Sequence, residues 1–247
     1  MADVHALNNV LITGAGKRIG RSIALDMANA GWRVGVHYSR SAEDAEEVVS
    51  NIKNSGGEAA TFDADLSEEG SAHSLMTRVS DVLGPLNCLI NNASTFERDT
   101  VSTATRSTWD MHMDVNLRAP FELSQAFVRQ LPQGVPGNIV NIIDQRVWNL
   151  TADFTTYTLS KAALWDMTRI LARALAPQVR VNGIGPGPTL PSIHQSEKDF
   201  ADESAAVPLN RPVTTGDIAA AVRFILDAPT MTGQMIAIDA GQHMGAV

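Results

Sequence analysis

Three side chains near the middle of the chain have the types and spacing of a proton-transfer site. Tyr157 and Lys161 lie four residues apart, so on a helix they project from the same face. An ammonium beside a phenol favours the phenolate, and we expect it to lower the Tyr157 pKa from about 10 toward the range of a working proton donor. Asp144 follows the apolar run 137–143, which is typical of a buried strand. A carboxyl at the end of such a strand would face the crevice in which open α/β sheets bind ligands.

A tyrosine and a lysine at this spacing also fit a solvated pair on a helix surface. The secondary structure predicted around them must therefore distinguish a catalytic pair from a solvated one. Short apolar runs alternate with amphipathic segments along the whole chain. This alternation predicts an α/β fold with a single doubly wound parallel sheet, of Rossmann type, with helices on both faces. No composition break marks a second domain, and we expect one NADP(H)-binding domain over residues 1–247. The Pro-, Ser- and acid-rich stretch 189–210 predicts a substrate lid.

Composition excludes several classes of protein and of ligand. The 247 residues are 44% hydrophobic and 19% charged, as in ordinary globular proteins. No apolar run is long enough for a membrane span and no signal sequence opens the chain, so we expect a cytoplasmic protein. The lone Cys88 excludes an internal disulfide and is typical of a small buried hydrophobe. The net charge of −8 argues against nucleic-acid binding, and no metal site is expected, because metal-ligand spacing is lacking among His5, His37, His73, His112, His194 and His243.

A glycine-rich turn follows the first apolar run, residues 8–13. Gly14, Gly16 and Gly20 separate that run from an amphipathic segment, 21–30. Glycines let the backbone approach a pyrophosphate, and the N–H groups of the first helical turn favour the anion. Residues 1–40 carry a local charge of +3 in this acidic chain, which also indicates an anionic ligand. A plain glycine-rich turn is the alternative.

The second strand, 32–37, is followed by the residues that would choose between two cofactors. NADH enzymes place an acidic side chain here for the ribose hydroxyl, but the first acid is Glu43 on the next helix. Arg40 offers a guanidinium, and Ser39 and Ser41 offer hydroxyls, which suit a 2′-phosphate. The sequence therefore favours NADPH. Ser41 could at the same time form a capping box with Asp44.

Taken together, these residues resemble the short-chain dehydrogenase/reductase family over residues 10–241, nearly the whole chain. The elements that match in order are Thr13-Gly14 with Gly20, Asp65, Asn91-Asn92-Ala93, Asn116, Tyr157 with Lys161, Pro186-Gly187 and the last strand before Asp239. Jointly these elements are specific, whereas each alone is weak.

Two departures from the family pattern narrow the resemblance. Arg18 stands where the family has an apolar residue, and Asp144 stands where it has a catalytic serine, thirteen residues before the tyrosine. Both departures are similar to the pteridine reductase branch, as are the runs 17–20, 37–41 and 91–96. That branch uses an aromatic residue at the Phe96 position to stack a pterin against the nicotinamide.

The resemblance implies roles for individual residues. The implied catalytic residues are Asp144, Tyr157, Lys161 and Asn116, with Lys161 also on the nicotinamide ribose and Asn116 anchoring a water. The implied cofactor contacts are Gly14, Lys17, Arg18, Ile19, His37, Tyr38, Ser39, Arg40, Ser41, Asp65, Leu66, Asn92, Ala93, Ser94, Tyr157, Lys161, Pro186 and Gly187. The implied substrate contacts are Arg18, Ser94, Phe96, Asp144 and Tyr157.

Physical chemistry gives reasons for these substitutions. An aspartic acid can exchange a proton with a ring nitrogen, whereas a serine hydroxyl positions a carbonyl oxygen. Phe96 would supply a flat apolar face, and the Arg18 fork could reach both phosphate and pterin. Alternatively, Asp144 is a lost serine that leaves a weak enzyme, and Phe96 is ordinary packing.

The leading hypothesis is an NADPH-dependent reductase that transfers hydride to the C=N bond of a pterin-like substrate. One alternative is a carbonyl reductase of the same family acting on a ketone such as a 3-oxoacyl thioester or a sugar. From another class, the chain could be a non-catalytic NADPH-binding regulator. The resemblance also implies a homo-oligomer, commonly a tetramer built through the long helices.

Overall fold

A seven-stranded parallel sheet forms the centre of the protein, which is described here from a computed structural model covering residues 7–192 and 195–245. The strands are β1 (Asn9–Ile12), β2 (Arg33–Tyr38), β3 (Ala59–Asp63), β4 (Cys88–Asn91), β5 (Gly137–Ile142), β6 (Val179–Pro186) and β7 (Met235–Ile238). Their order is β3-β2-β1-β4-β5-β6-β7, and every neighbouring pair is parallel. The central strands are fully buried, which explains why they are continuous apolar runs rather than alternating ones. The predicted doubly wound sheet is confirmed.

Helices cover both faces of the sheet. They are α1 (Arg18–Asn29), α2 (Ala42–Asn54), α3 (Ser71–Leu83), α4 (Arg106–Met113), α5 (Ala119–Gln130), α6 (Thr155–Leu175), α7 (Glu197–Ala206) and α8 (Thr215–Asp227). One core packs α3, α5 and α6 against the sheet through residues such as Leu75, Leu123 and Leu164. The other core packs α1, α2 and α8 through residues such as Ile23, Val48 and Ile218. Cys88 is buried in this second core, as predicted.

The near-helical spacing of apolar residues such as Trp109, Met113 and Phe127 predicts one long helix over 107–131, but the structure divides this segment. A π-helical turn, Asp114–Arg118, separates α4 from α5 and holds the buried Asn116. Such turns insert one extra residue and commonly mark functional positions. The lid also differs from a structureless loop, because α7 begins in it with a capping box between Ser196 and Asp199. Within the described residues, no helix is long and apolar enough to cross a membrane.

The topology determines where a ligand can bind. The strand order reverses between β1 and β4, so the chain leaves these two neighbours toward opposite sides. In open α/β sheets the crevice at such a switch point is the ligand site. The glycine turn (residues 13–20) leaves the carboxyl end of β1, and Asn92 follows β4 at the same edge.

Candidate active site

The glycine turn is fixed by a buried histidine. The backbone N–H of Gly14, which has a φ of 62°, donates to Nδ1 of His37 at 3.0 Å. The Nε2 of His37 lies 3.1 Å from the carbonyl oxygen of Ala64 and can only donate to it. The ring is therefore neutral, and burial lowers the His37 pKa to about 4. His37 was predicted to contact the cofactor, but it is 2% exposed and both of its nitrogens are taken by backbone groups, so its role in this structure is to hold the turn.

A second set of hydrogen bonds ties the turn to the end of β4. The Nδ2 of Asn92 donates to the carbonyl oxygens of Thr13 and Gly14, at 2.9 and 3.1 Å. The Thr13 hydroxyl in turn accepts from the backbone N–H groups of Asn92 and Ala93, both at 2.9 Å. A Cβ on Gly20 would collide with the Gly14 carbonyl and lie 2.6 Å from the Asn92 amide. Only glycine fits at this position.

The residues predicted for the 2′-phosphate follow β2 on the surface. Ser39 and Arg40 are exposed, and among the described residues no ion pair to Arg40 is formed. Ser41 occupies the N-cap position of α2, but its side chain makes no capping hydrogen bond. The predicted capping box is thus wrong, because Asp44 pairs with Lys17 at 2.9 Å instead. Past β3, Asp65 accepts from Ser67, and Leu66 is buried.

A cavity of about 1000 Å³ extends from the glycine turn to the lid. It gathers most of the sequence-predicted residues from five separate parts of the chain: Gly14, Lys17, Arg18, Ile19, Asn92, Ala93, Ser94, Phe96, Asp144, Tyr157, Lys161, Pro186 and Gly187. The predicted residues that do not line it are His37, Tyr38, Ser39, Arg40, Ser41, Asp65, Leu66 and Asn116. Except for Asn116, that second group lies in the last two residues of β2 or just beyond the ends of β2 and β3.

Asp144 and Tyr157 meet inside this cavity. The Tyr157 hydroxyl donates to Oδ2 of Asp144 at 2.8 Å, and Oδ1 of the same carboxyl accepts from the backbone N–H of Arg146 at 2.8 Å. Lys161, 2% exposed, donates to the carbonyl oxygen of Ile142 at 2.9 Å. Its Nζ lies 5.8 Å from the centre of the Tyr157 ring. Tyr157 and Asp144 thus share a hydrogen bond, and the Lys161 ammonium lies near the phenol ring without bonding to either of them.

The electrostatics of this group differ from the expectation. Burial raises the pKa of Tyr157 well above 10, and the nearby Asp144 charge raises it further. The predicted lowering of the Tyr157 pKa by Lys161 is wrong in this structure, because burial, first of all, and the Asp144 carboxyl both raise it. Burial likewise raises the pKa of Asp144 and lowers the pKa of Lys161 to about 8. The phenol accordingly keeps its proton and donates a hydrogen bond to Asp144.

The buried Asn116 side chain has hydrogen-bond partners for both its amide oxygen and its amide nitrogen. Its Oδ1 accepts from the backbone N–H of Thr95 at 2.9 Å and from the Ser94 hydroxyl at 3.1 Å. Its Nδ2 donates to the Thr95 carbonyl at 3.1 Å and to the Ser160 hydroxyl at 3.0 Å. The π-helical turn thereby links the loop after β4 to α6. The implied water link from Asn116 to Lys161 stays a prediction.

Aromatic rings form one wall of the cavity. Phe96 stacks on Phe154 with centroids 4.3 Å apart and planes inclined by 10°. The Phe96 ring also meets the edge of Tyr157 at 4.7 Å, and the Arg146 guanidinium lies 5.2 Å from the Phe154 centroid. Phe96 is thus both packed and exposed to the cavity. The packing alternative is therefore observed, whereas the stacking of a pterin on Phe96 stays a prediction.

Arg18 contacts the lid. Its guanidinium donates to the carbonyl oxygens of Pro191 and Leu190, at 2.8 and 3.1 Å. We predicted contacts to phosphate and pterin, and Arg18 does line the cavity, but in this structure its fork is used by the lid. Near the same end, a Cβ on Gly187 would lie 2.6 Å from the Cα of Asp239. This close approach explains the glycine after Pro186.

Several residues at the lid end were missed from the sequence. Glu203 accepts from Gln195 at 2.6 Å and from Gln242 at 2.9 Å, and all three line the cavity. Phe154 was missed as well, although its place directly before α6 could have indicated it. No sequence signal pairs residues 203 and 242. The predicted lid residues 193–194 lie outside the described part.

Metal ligands do not converge anywhere in the described part of the chain. Over residues 7–192 and 195–245, no group of three His, Cys, Asp or Glu side chains is arranged to hold a metal ion. His5 and His194 lie outside those residues.

A glycine turn at a switch point, with a Tyr157–Lys161 pair at the carboxyl edge of the same sheet, defines a class of nucleotide-dependent oxidoreductases. The model of the short chain dehydrogenase family matches residues 8–202. The chain belongs to this family.

Relatives and solved structures extend the similarity. The chain is 32% identical to a short-chain type dehydrogenase/reductase of Picea abies, over 94% of this chain and 91% of that protein. It is 30% identical to the 3-oxoacyl-[acyl-carrier-protein] reductase FabG of Staphylococcus aureus, over 96% and 98%. Among solved structures, FolM alternative dihydrofolate reductase 1 of Brucella suis, in complex with NADP, is 44% identical with a TM-score of 0.94, over 97% and 96%. Its Brucella canis counterpart, also with NADP, is 43% identical with a TM-score of 0.95, over 100% and 98%.

Proposed function

We propose that this protein is an NADPH-dependent reductase that acts on the C=N bond of a pterin-like N-heterocycle. The observation that carries the proposal is the 2.8 Å hydrogen bond from Tyr157 to Asp144 beside Phe96 in the cavity. A hydroxyl at position 144 would suit a ketone, whereas a carboxyl can both give a proton to a ring nitrogen and accept from an amino group. The similarity to two alternative dihydrofolate reductases supports the same substrate class.

The residues present fit the cofactor. Glycines at positions 14 and 20 let the turn pack closely on Asn92 and Ala93, and the N–H groups at the start of α1 would bind the pyrophosphate. Exposed Arg40 with Ser39 and Ser41 would hold the 2′-phosphate, and Asp65 and Leu66 would flank the adenine. NADPH, when bound, supplies a hydride. The remaining proposed contacts are Gly14, Lys17, Arg18, Ile19, Tyr38, Asn92, Ala93, Ser94, Pro186 and Gly187.

The protein's own side chains would handle the proton. Because burial raises the pKa values of both Tyr157 and Asp144, it favours the protonated form of each, and a proton held by the pair would pass to a ring nitrogen. Phe96 would orient the flat ring, and Ser94 would bond its edge. Lys161 would hold ribose hydroxyls with its ammonium. Arg18 and the lid would limit the access of water.

The test is oxidation of NADPH by the purified protein with a dihydropterin or dihydrofolate. We expect turnover in the wild type and a loss of at least about 100-fold in Tyr157→Phe, which lacks the proton. Asp166→Asn is the control, because this carboxylate pairs with Arg169 on the exposed side of the same helix. Absence of turnover on every reduced or oxidised pterin would contradict the proposal, and cofactor binding with no turnover on a broad panel would instead favour a regulator.

A carbonyl reductase is the second candidate, favoured by the 30% identity to 3-oxoacyl reductases. The two candidates differ at position 144. A carbonyl reductase should reduce a 3-oxoacyl thioester or a simple ketone, and Asp144→Ser should keep or improve that activity. Rates on the two substrate classes, measured with the same two proteins, decide between them.

The proposed assembly is a cytoplasmic homotetramer. Large hydrophobic side chains on the long helices support it, since Phe121 on α5 and Leu159 on α6 are 42% and 47% exposed. Light scattering after gel filtration measures the number of subunits. A monomeric mass would contradict this part of the proposal.

A further inference from the structure

Three buried polar side chains beside the candidate site have no role in the proposed chemistry. Asp99, His112 and Thr156, called here the polar cluster, are 2%, 0% and 2% exposed. They come from the loop after β4, from α4 and from the first turn of α6. Burying a carboxylate and an imidazole is costly unless each polar atom is satisfied. Such groups therefore need an explanation in structure or in function.

The hydrogen bonds of the polar cluster can run in only one direction. The backbone N–H of Glu97 donates to Nε2 of His112 at 3.0 Å, so in the neutral ring the proton is on Nδ1. Nδ1 lies 2.7 Å from the Thr156 hydroxyl and donates to it. That hydroxyl donates to Oδ2 of Asp99. Because a backbone N–H can only donate and a carboxylate can only accept, the order of the bonds cannot be reversed.

The polar cluster also builds the beginning of α6. The residue at its N-cap, Phe154, has a φ of 59° and provides no capping side chain. Asp99, in the loop after β4, supplies the missing hydrogen-bond acceptors. Its backbone carbonyl accepts from Phe154 N–H at 2.8 Å, and its Oδ1 accepts from Thr156 N–H at 3.0 Å. A carboxylate at a helix N-terminus satisfies free N–H groups and opposes the helix dipole.

This helix start is the one that carries the proton donor. Thr156 directly precedes Tyr157, and the ring of His112 meets the Tyr157 ring at 5.9 Å. The loop that contributes Asp99 also contributes Phe96, whose ring touches Tyr157 at 4.7 Å. One set of bonds thus fixes the position of the phenol and of the aromatic wall relative to each other.

We propose that Asp99 is a positioning residue, acting through Thr156 and His112 to hold the Tyr157 hydroxyl in line with Asp144 and the substrate. The inference rests on the proposed reductase function. A displacement of about 1 Å at a reacting group can reduce the rate about 100-fold. The polar cluster should therefore affect kcat more than the KM for either substrate.

The variants Thr156→Val and Thr156→Ser test the hydroxyl. Valine keeps the shape but removes the link between His112 and Asp99, so we expect kcat to fall about 10- to 100-fold, with KM and NADPH affinity within about 3-fold. Serine keeps the hydroxyl and should retain kcat within about 3-fold. Thr158→Val is the matched control on the same helix, because its buried hydroxyl has no partner among the described residues, and we expect wild-type kinetics.

The outcomes separate positioning from stability. Loss of kcat in Thr156→Val at temperatures where it stays folded, with rescue by serine, supports the proposal. Unchanged kcat in Thr156→Val, or an equal loss in Thr156→Ser, overturns it. Asp99→Asn should lower kcat as well, since an amide donor facing Thr156 conflicts with the fixed order of the bonds.

Nitrogen-15 NMR of the histidines tests the polar cluster without any substrate. We expect the wild-type His112 ring to be neutral with its proton on Nδ1, and this tautomer to lose its preference in Thr156→Val. A His112 proton on Nε2 in the wild type overturns the inference. If the wild type reduces no pterin but shows the Nδ1 tautomer, the proposed function fails while the arrangement of the polar cluster stands, and kcat is then measured on a ketone.

Discussion

The two ends of the cavity are held together by different means. At the glycine turn, backbone groups make most of the bonds, and the side chains that support them, Thr13, His37 and Asn92, have their polar atoms bonded to backbone. At the lid end, side chains determine the shape: Arg18 holds two lid carbonyls, Glu203 joins two glutamines, and Phe96 stacks on Phe154. The first end has no room for an atom added to its backbone at Gly20, whereas the shape of the lid end depends on which side chains form it.

The largest effect is expected at the glycine turn. A methyl group on Gly20 would collide with the Gly14 carbonyl and the Asn92 amide, so Gly20→Ala should weaken NADPH binding by at least about 100-fold or prevent folding. Gly216→Ala in α8 is the control, since its nearest neighbour would be 3.6 Å away. Fluorescence titration with NADPH and thermal melting measure both. Wild-type affinity in Gly20→Ala would refute the backbone account of this end.

The next effect is at the other end of the cavity. Asp144→Ser should lower kcat/KM for a dihydropterin about 100-fold, because the carboxyl that accepts from Tyr157 is gone. NADPH affinity should stay within about 3-fold. If NADPH affinity fell together with kcat/KM, the substitution would disturb both ends of the cavity, and the two ends would not be held independently of each other. Steady-state kinetics and the same fluorescence titration supply the two numbers.

Cofactor choice should depend on one exposed side chain. Removing the guanidinium in Arg40→Ala should reduce the preference for NADPH over NADH about 10- to 100-fold, the contribution of one or two charge-assisted hydrogen bonds. Arg106→Ala, which removes another exposed arginine, one that pairs with Asp110, should leave the preference unchanged. The ratio of kcat/KM values for the two cofactors is the measurement. An unaltered ratio in Arg40→Ala would assign the 2′-phosphate to other residues.

The smallest effect is a pH dependence of stability. The folded protein keeps His37 neutral down to about 4, whereas the unfolded chain takes up a proton near 6.5. The unfolded state therefore binds more protons in this interval, and stability is complete above 6.5 and falls as the pH falls toward about 4. We expect a loss of about 1 kcal/mol by about pH 5.5. Urea unfolding across this range, compared with His37→Gln, isolates the contribution, and equal pH slopes in the two proteins would contradict it.

Local patterns were sufficient for the fold. The strands at 9–12, 88–91 and 137–142 are buried apolar runs, so their burial could be inferred from composition alone. Boundaries shifted where a single residue decided them: the sequence pattern predicts the third helix over 68–83, whereas Gly70, with a φ of 78°, makes α3 begin at Ser71. The division of the long helix by a π-helical turn had no sequence signal except the unexplained Asn116.

Sequence patterns could not predict which side chains pair with each other when they lie far apart in the chain. Asp44 could cap Ser41 or pair with Lys17, and only the packed distance of 2.9 Å to Lys17 decided this. The lowered Tyr157 pKa was a reasonable expectation from the neighbouring lysine, but it ignored a carboxyl thirteen residues away in sequence. Electrostatic effects depend on distance in space and on burial.

By itself, the sequence determined the alternation of strands and helices, the glycine turn, and the phenol, ammonium and carboxyl at one sheet edge. These features follow from periodicity and from short spacings that the chain fixes locally. Only the tertiary structure decided that Arg18 holds the lid, that His37 supports the turn from below, and that Asp99 caps α6 from 57 residues away. Those contacts join segments that are distant in sequence, and the packing of helices on the sheet selects each partner.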